Sequence, residues 1–198
     1  MKATCNETFL NKQVIKEGLK KLTLCNYNIQ LKKGDIPNTV EELYLLRYNQ
    51  PLNPDSIPNS VKILYLGKYN QELNKDSIPD SVVELALLSF NKEIQQDSIP
   101  YSVIYLDLSA YNQILKEDCV LNPDITILTS TMNNIFIQNI PITIKNLEIY
   151  HDFAVDLSNL PVGLEKLKIW HWNKNNFTNI KIPFGCQVVD NDNVRIDI

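Results

Sequence analysis

Two histidines, His151 and His171, are the residues whose type and spacing first suggest chemistry in this sequence of 198 residues. Each lies four residues after a leucine of a recurring segment, Leu147 in one case and Leu167 in the other. A repeating fold would therefore bring the two imidazoles side by side. Zinc, however, takes three or four protein ligands, and the sequence shows no third ligand. We interpret the pair as surface histidines, whose repulsion when both are protonated would make this spot sensitive to pH.

Four aspartates, Asp55, Asp76, Asp97 and Asp118, recur at one position of successive segments. Stacked like charges repel, so each carboxylate needs a compensating partner. A cation bound between the segments is one alternative, but the glycine-rich nonapeptide of calcium-binding repeats is missing. The other alternative is that each aspartate accepts backbone N–H bonds in the Ser-Ile-Pro turn that follows it. The sequence favours this capping role.

The four cysteines, Cys5, Cys25, Cys119 and Cys186, are widely spaced and contain no CxxC pair. This usage indicates reduced thiols, and hence a cytoplasmic protein (the host cytoplasm if the source is a virus). Cys119 stands where other segments have serine, and Cys186 stands where they have valine. We interpret both as substitutions within a structural template, with no role as nucleophiles.

Carboxylates could serve glycoside hydrolysis if two of them faced one groove at catalytic separation. The candidates Glu84, Asp107 and Glu148 lie in different segments with lysines between them. The net charge of −4 gives no basic footprint for nucleic acid, and no run of about 20 apolar residues could cross a membrane. We therefore expect a chain that is not an enzyme, needs no cofactor or metal, and binds neither nucleic acid nor membrane.

The elements that position these residues are set by a repeat of about 21 residues. The pattern Leu-x-Leu-x-x-Tyr/Phe-Asn, followed by Ser-Ile-Pro-x-Ser-Val, begins at Leu43, Leu64 and Leu85, and in weaker form at Leu22 and Leu106. It degrades around residues 120–132 and recovers later with altered spacing. We predict a half-repeat or cap at residues 1–21, repeats over residues 22–189 and a capping strand at residues 190–198.

The repeat predicts one coil of a solenoid. Leu-x-Leu turns both leucines to one side of a short strand, and stacked coils make these strands parallel. Proline in the Ile-Pro pair disfavours helix, so the return limb should be extended or a single 3₁₀ turn. We expect about seven to eight coils, a β-rich fold with little regular helix, and two stacks at the turn after the strand. The predicted aromatic spine is Tyr27, Tyr48, Tyr69, Phe90, Tyr111 and Trp172, and the predicted ladder is Asn28, Asn49, Asn70, Asn91, Asn112 and Asn173.

Tyr/Phe-Asn-Gln with a downstream Ile-Pro-x-Ser-Val, repeated from Tyr48, Tyr69 and Phe90, resembles the FNIP repeat. That family is similar to leucine-rich repeats and is abundant in social amoebae and in large viruses that infect amoebae. The resemblance implies an interaction module. Some members carry an F-box in front of the repeats, which implies substrate recognition for a ubiquitin ligase. Repeat material from about Ile15 leaves no room for an F-box in this chain. We therefore keep substrate recognition for a ubiquitin ligase only as an alternative.

The candidate binding site is the concave strand face, where the residues between and before the leucines vary from coil to coil. Exposed aromatic and aliphatic side chains mark interfaces, although strands favour such residues in any case. We predict a non-catalytic scaffold that is monomeric and binds an unidentified protein, the alternatives being a structural or vestigial repeat. The predicted contact residues are Tyr44, Ile63, Tyr65, Ile104 and Tyr105.

Overall fold

A computed structural model of the chain describes residues 2–5, 18–116, 121–130, 140–150, 155–173, 175 and 177–197. Within these ranges the regular structure is β-strand joined by turns, and no α-helix is found. The strands are β1 (Lys2–Cys5), β2 (Lys21–Leu24), β3 (Glu42–Leu45), β4 (Ile63–Leu66), β5 (Glu84–Leu87), β6 (Tyr105–Asp107), β7 (Thr126–Ser130), β8 (Asn146–Tyr150), β9 (Val155–Leu157), β10 (Lys166–Trp170), β11 (Phe177–Ile180) and β12 (Gln187–Val189).

Ten of the described strands form one parallel sheet in the order β1-β2-β3-β4-β5-β6-β7-β8-β10-β12. Its register follows the repeat, because equivalent leucines are Cα partners from strand to strand. Parallel strands that neighbour each other in chain order require one full coil between them, and this confirms the predicted leucine-rich-repeat-like solenoid. β9 and β11 pair in a separate two-stranded sheet. The aligned leucines are Leu22, Leu43, Leu64, Leu85 and Leu106.

The core lies on one side of this sheet. Leu64 and Leu66 of β4 are fully buried, whereas Ile63 and Tyr65 between them are only half-buried. The same alternation recurs in β2 and β3, as the period of two predicted. No single coil of this length could offset its chain entropy, so each pair of leucines is stabilised by the equivalent pairs above and below.

The coil whose sequence degrades still contributes a strand. β7 pairs with β6 and β8, and Ile125 and Ile127 are fully buried there. Ile127 thus replaces leucine as the core residue of the strand, and Ile125 replaces the valine of the turn before it, without a change of register. Val120 and the remaining residues of the degraded unit, at 117–120 and 131–139, lie outside the described ranges.

Each return limb ends in a turn closed by one backbone hydrogen bond. Val61 N donates to Pro58 O over 3.0 Å, and the same bond joins Val82 to Pro79. The proline supplies only its carbonyl, so its missing N–H costs nothing here. Cys186 N donates to Pro183 O in the last of these turns, so the cysteine occupies the valine position, as predicted. Burial raises the pKa of its thiol, which fits a core role.

The aromatic spine is confirmed for five coils. Consecutive rings stack with centroids between 6.1 and 6.4 Å apart, and all five side chains are buried. The prediction is wrong for Trp172, which stacks on Phe177 of β11 at 4.8 Å. β11 brings an aromatic ring that the repeat pattern does not contain. The confirmed spine consists of Tyr27, Tyr48, Tyr69, Phe90 and Tyr111.

The asparagine ladder is confirmed over the same coils. Asn70 N donates to Asn49 Oδ1 over 2.8 Å, and Asn91 N donates to Asn70 Oδ1 over 2.9 Å. Each side chain therefore satisfies a backbone N–H of the next coil. The prediction is wrong for Asn173, whose Oδ1 accepts from Asn175 N within its own coil. The stacked ladder runs through Asn28, Asn49, Asn70, Asn91 and Asn112.

Serines form further links between coils that the sequence reading missed. Ser60, Ser81 and Ser102 each donate through Oγ to a valine carbonyl of the preceding coil, over 2.7 Å in every case. Ser56 and Ser77 are buried and donate to the carbonyls of Leu31 and Leu52. The only signal in the sequence was that serine recurs at both positions in the three coils that match the repeat best.

At the two ends, the described residues extend the stack. β1 pairs in parallel with β2, while the half-repeat predicted around Ile15 lies outside the described residues. After β12, Asp190 Oδ1 accepts from the N–H groups of Asp192 and Val194. The chain then turns back, and Arg195 forms an antiparallel bridge with Val189.

Candidate functional site

The strand face is the side of the parallel sheet that points away from the core, from β2 to β10. Its side chains stand between or before the buried leucines, and most of them are half-buried. One column contains Lys21, Glu42, Ile63, Glu84, Tyr105, Thr126, Asn146 and Lys166, and the other contains Thr23, Tyr44, Tyr65, Ala86, Asp107, Glu148 and Lys168.

The predicted contact residues map onto this face with one exception. Tyr44 and Tyr65 are neighbours on β3 and β4, with ring centroids 5.7 Å apart. Ile63 lies in the adjacent column, and Tyr105 lies there two strands further along. Ile104 comes just before β6 and is 47% exposed, so it borders the face at the point where the strand begins. Their role in binding stays a prediction.

On β2 and β3 the chain holds one of its own cations against this face. Lys21 Nζ lies 2.6 Å from Glu42 Oε2 and 4.1 Å from the centroid of the Tyr44 ring. The Tyr44 hydroxyl donates to the same carboxylate over 3.3 Å. The hydrogen bond to Glu42 is the main cause that raises the pKa of Lys21. A carboxylate and a tyrosine ring together thus form a seat for a cation.

A related arrangement lies on β8 and β10. Lys168 Nζ is 4.5 Å from the centroid of the Trp170 ring. The indole Nε1 of Trp170 donates to Glu148 Oε2 over 2.9 Å. Lysine, aromatic ring and carboxylate therefore occur together again, six to seven strands away from Lys21 in the order of the sheet.

The middle of the strand face is acidic. Burial is the first cause that raises the pKa of the Tyr105 hydroxyl, and the charges of Glu148, Asp107 and Glu84 raise it further. Burial also raises the pKa of Asp107, while hydrogen bonds from the backbone N–H and hydroxyl of Ser109 oppose that shift. The three carboxylates lie on three different strands, as expected, and the charge of each acts on the hydroxyl of Tyr105.

The aspartate column has a different cause from the predicted capping. Asp55, Asp76 and Asp97 adopt left-handed backbone conformations, with φ of 65°, 63° and 58°. The turn that follows Asn53 is capped instead by Ser56, whose Oγ accepts from Asn53 N over 3.1 Å. Asp118 lies outside the described residues.

Lysines of preceding coils compensate two of these aspartates. Lys33 Nζ lies 2.9 Å from Asp55 Oδ2, and Lys75 Nζ lies 3.7 Å from Asp97 Oδ2. Among the described residues, no group of three or more His, Cys, Asp or Glu side chains could hold a metal ion.

Of the histidine pair, only His171 falls in the described residues. Its ring packs edge-on against Tyr150, with centroids 5.1 Å apart, and the side chain is exposed. The predicted contact with His151, and the position of Cys119, lie outside the described part of the chain. No helix within that part is long and apolar enough to span a membrane.

The turns before the strands form a second exposed strip, which the sequence reading missed. We call it the corner stripe. In each turn that is closed by a backbone hydrogen bond before a strand, it comprises the residue that follows the accepting carbonyl. In three early coils this residue is polar, and in five later coils it is apolar and exposed, up to 106% for Phe184. The polar members are Asn38, Asn59 and Asp80, and the apolar members are Tyr101, Pro123, Ile142, Val162 and Phe184.

The geometry defines the class of protein as a parallel-strand solenoid of the leucine-rich-repeat type. Residues 48–89 match the family model FNIP Repeat, so this segment carries FNIP repeats, as its motifs predicted. In fold the chain is similar to CroV588, a solved structure described as a novel circular LRR protein. The TM-score is 0.64 at 19% sequence identity, over 98% of this chain and 35% of that chain. The chain thus spans about a third of CroV588. No curated protein matches the sequence.

Proposed function

We propose that the chain is a non-catalytic scaffold that binds another protein through its strand face. The observation that carries the proposal is the contrast within each strand. The leucines are nearly constant and buried, whereas the residues between them differ from coil to coil. A repeat stack needs only its core positions for stability, so the strand face is free to vary for recognition.

The tyrosines of the strand face support this proposal. Tyrosine supplies a large contact area with little conformational entropy to lose, and it is enriched among residues that dominate binding energy. Tyr44, Tyr65 and Tyr105 are part-exposed on strands that the stack holds rigid. Together with Ile63 and Ile104 they are the residues that we expect to contact the partner. We further propose that the chain acts as a monomer in the cytoplasm.

Proximity labelling in cells that express the protein tests this function. A Tyr44/Tyr65/Tyr105→Ala triple variant removes the aromatic side chains of the strand face. The matched control, Tyr101/Ile142/Phe184→Asn, removes three apolar side chains of the corner stripe. It introduces the residue that two earlier coils carry at the same turn position. Circular dichroism checks that both variants stay folded.

We expect partners to be lost from the strand-face variant and retained by the corner-stripe variant. Loss from the corner-stripe variant alone would contradict the proposal and move the site to the turns. A chain that labels no protein above background would favour a structural or vestigial repeat. Components of a ubiquitin ligase among the strand-face partners would favour substrate recognition in that system.

A further inference from the structure

We propose that the strand face binds an arginine-bearing basic segment of its partner, with one arginine seated over Ala86 between Tyr65 and Asp107. This inference rests on the proposed function, because it names the chemistry of the partner at the same face. Three observations support it. Carboxylates on β5 and β6 have no ion-pair partner among the described residues, Ala86 on β5 has a small side chain, and lysines elsewhere on the face already occur together with an aromatic ring and a carboxylate.

The charge of the middle strands is not compensated. Between Lys21 on β2 and Lys166 on β10, the outward strand positions contain no lysine or arginine. Glu84 and Asp107 lie on β5 and β6 in this interval, and neither forms an ion pair with a described residue. Uncompensated carboxylates on a protein-binding face select a partner of opposite charge.

The shape of the face provides a seat at Ala86. Ala86 pairs with Tyr65 on one side and with Asp107 on the other. Neighbouring strands lie about 4.8 Å apart, so the backbones of Tyr65 and Asp107 are roughly 10 Å apart. Ala86 contributes only a methyl group to the face between them. Asp107 also raises the pKa of Tyr65, after burial, so its charge acts across this gap.

The chain already fills comparable seats with its own lysines. Lys21 contacts Glu42 and the ring of Tyr44, and Lys168 lies over the ring of Trp170. Both lie to the sides of the middle strands. Tyr65 and Asp107 repeat the combination of a ring and a carboxylate, but no lysine of the described chain is paired with them. A cation from the partner would complete this combination.

Arginine fits this seat better than lysine. Its planar guanidinium stacks on an aromatic ring and can form two parallel hydrogen bonds with a carboxylate. Lysine would bring a compact, strongly hydrated charge that uses the ring less well. A nucleic acid would be repelled by the same carboxylates.

The test measures fluorescence anisotropy of a labelled heptapeptide of alternating arginine and valine. The same peptide with lysine or glutamate in place of arginine provides the comparison. We expect the arginine peptide to bind more tightly than the lysine peptide, and its binding to weaken with added salt. The glutamate peptide should not bind. Equal binding of the arginine and glutamate peptides, or no binding of either, would overturn the proposal.

Three variants locate the seat. Asp107→Asn keeps the acceptor for Ser109 but removes the charge, and Ala86→Leu fills the gap. Each should weaken binding of the arginine peptide on the order of tenfold, as expected for loss of a charged contact. Asp76→Asn removes the same charge from an exposed turn and should change nothing. An equal effect of Asp76→Asn and Asp107→Asn would reduce the binding to general charge attraction and contradict the seat.

Proximity labelling with the same variants separates this inference from the proposed function. Partners lost from Asp107→Asn and Ala86→Leu, as well as from the tyrosine triple variant, support both. Partners lost from the triple variant alone would preserve the strand face as the binding site and overturn the arginine seat. Partners retained by the triple variant would overturn the proposed function itself.

Discussion

Asn49 connects two coils through a single side chain, because its Oδ1 accepts the backbone N–H of Asn70. The same oxygen lies 3.2 Å from Gln71 Nε2. The turn it serves is part-buried, so water replaces this bond poorly. Asparagine suits the position since its carbonyl oxygen accepts while its amide group can donate.

We expect Asn49→Ala to lower the free energy of unfolding by about 1–3 kcal/mol, because the part-buried N–H of Asn70 is left without its partner. Urea unfolding followed by circular dichroism measures the change. Asn59→Ala is the control, since Asn59 is exposed at a later turn of the same coil, and this substitution should cost less than about 0.5 kcal/mol. Equal costs at the two positions would show that the ladder contributes nothing to stability.

Single residues were predicted well where their role follows from their place in the repeat. The ladder at Asn49 and the valine position of Cys186 are of this kind. The role of Asp76 was predicted wrongly. Its charge suggested that it accepts hydrogen bonds, whereas its φ of 63° shows that it supplies a left-handed backbone conformation. Asp tolerates the left-handed region better than most residues, but charge and spacing carry no information on φ. The corner stripe was missed for a related reason, because turn residues are not part of a core pattern.

The aromatic spine is the element that links the turns of successive coils. Its rings stack in the core, and the hydroxyl of Tyr69 finds a partner there by donating to Glu72 O over 3.1 Å. Burial is the first cause that raises the pKa of Tyr69 to about 12, and burial likewise raises the pKa of Tyr27 to about 12. Ionisation of either hydroxyl therefore opposes the folded state.

These pKa values predict that the protein loses stability in alkali. An unfolded tyrosine ionises near pH 10, so between pH 10 and 12 the folded state binds more protons than the unfolded state. The contribution of neutral Tyr27 and Tyr69 is complete below pH 10, and it is lost as the pH rises towards 12. Urea unfolding at a series of pH values, with tyrosinate absorbance as the second signal, measures this loss.

The control for this pH dependence is Tyr69→Phe, since Phe90 occupies the same position in the next coil. The variant loses the hydrogen bond to Glu72 and should be somewhat less stable at neutral pH. Its stability should nevertheless fall less steeply than that of the wild type above pH 10, because one ionisable group has been removed. An unchanged slope would contradict the assignment of the alkaline transition to the spine.

Elements were predictable where the side chains of the core repeat. Strand register follows the leucines, and it survives in β7 because isoleucine fills the same space. Trp172 was placed wrongly because β11 supplies Phe177 as a stacking partner, and a pattern confined to the repeat contains no information on inserted chain. The acidic middle of the strand face was missed because Glu84, Asp107 and Glu148 are far apart in sequence, and only the in-register strands bring them near Tyr105.

At the scale of the whole molecule, the stack consists of a regular and a less regular part. Residues 22–116 share the spine, the ladder and the same leucine spacing. In the described residues beyond 121, the parallel sheet continues, but the stacked aromatic pair is Trp172 with Phe177 and Asn173 bonds within its own coil. Stability in a repeat stack is approximately a sum of coil and interface contributions, so the two parts should differ in stability.

We therefore expect the regular part to open as one unit, with a higher free energy of opening than residues 140–197. Native-state hydrogen exchange at increasing urea below the unfolding transition measures both parts at once. The backbone N–H groups of Asn70 and Asn91 report on the ladder, and those of Leu147 and Leu167 report on the equivalent strands of the less regular part. Asn49→Ala should lower the opening free energy in the regular part and leave that of Leu167 unchanged. A single opening free energy for all four N–H groups, shifted equally by the substitution, would contradict this prediction. The stack would then unfold as one cooperative body. The coupling across β6, β7 and β8 would be as strong as the coupling within the regular coils.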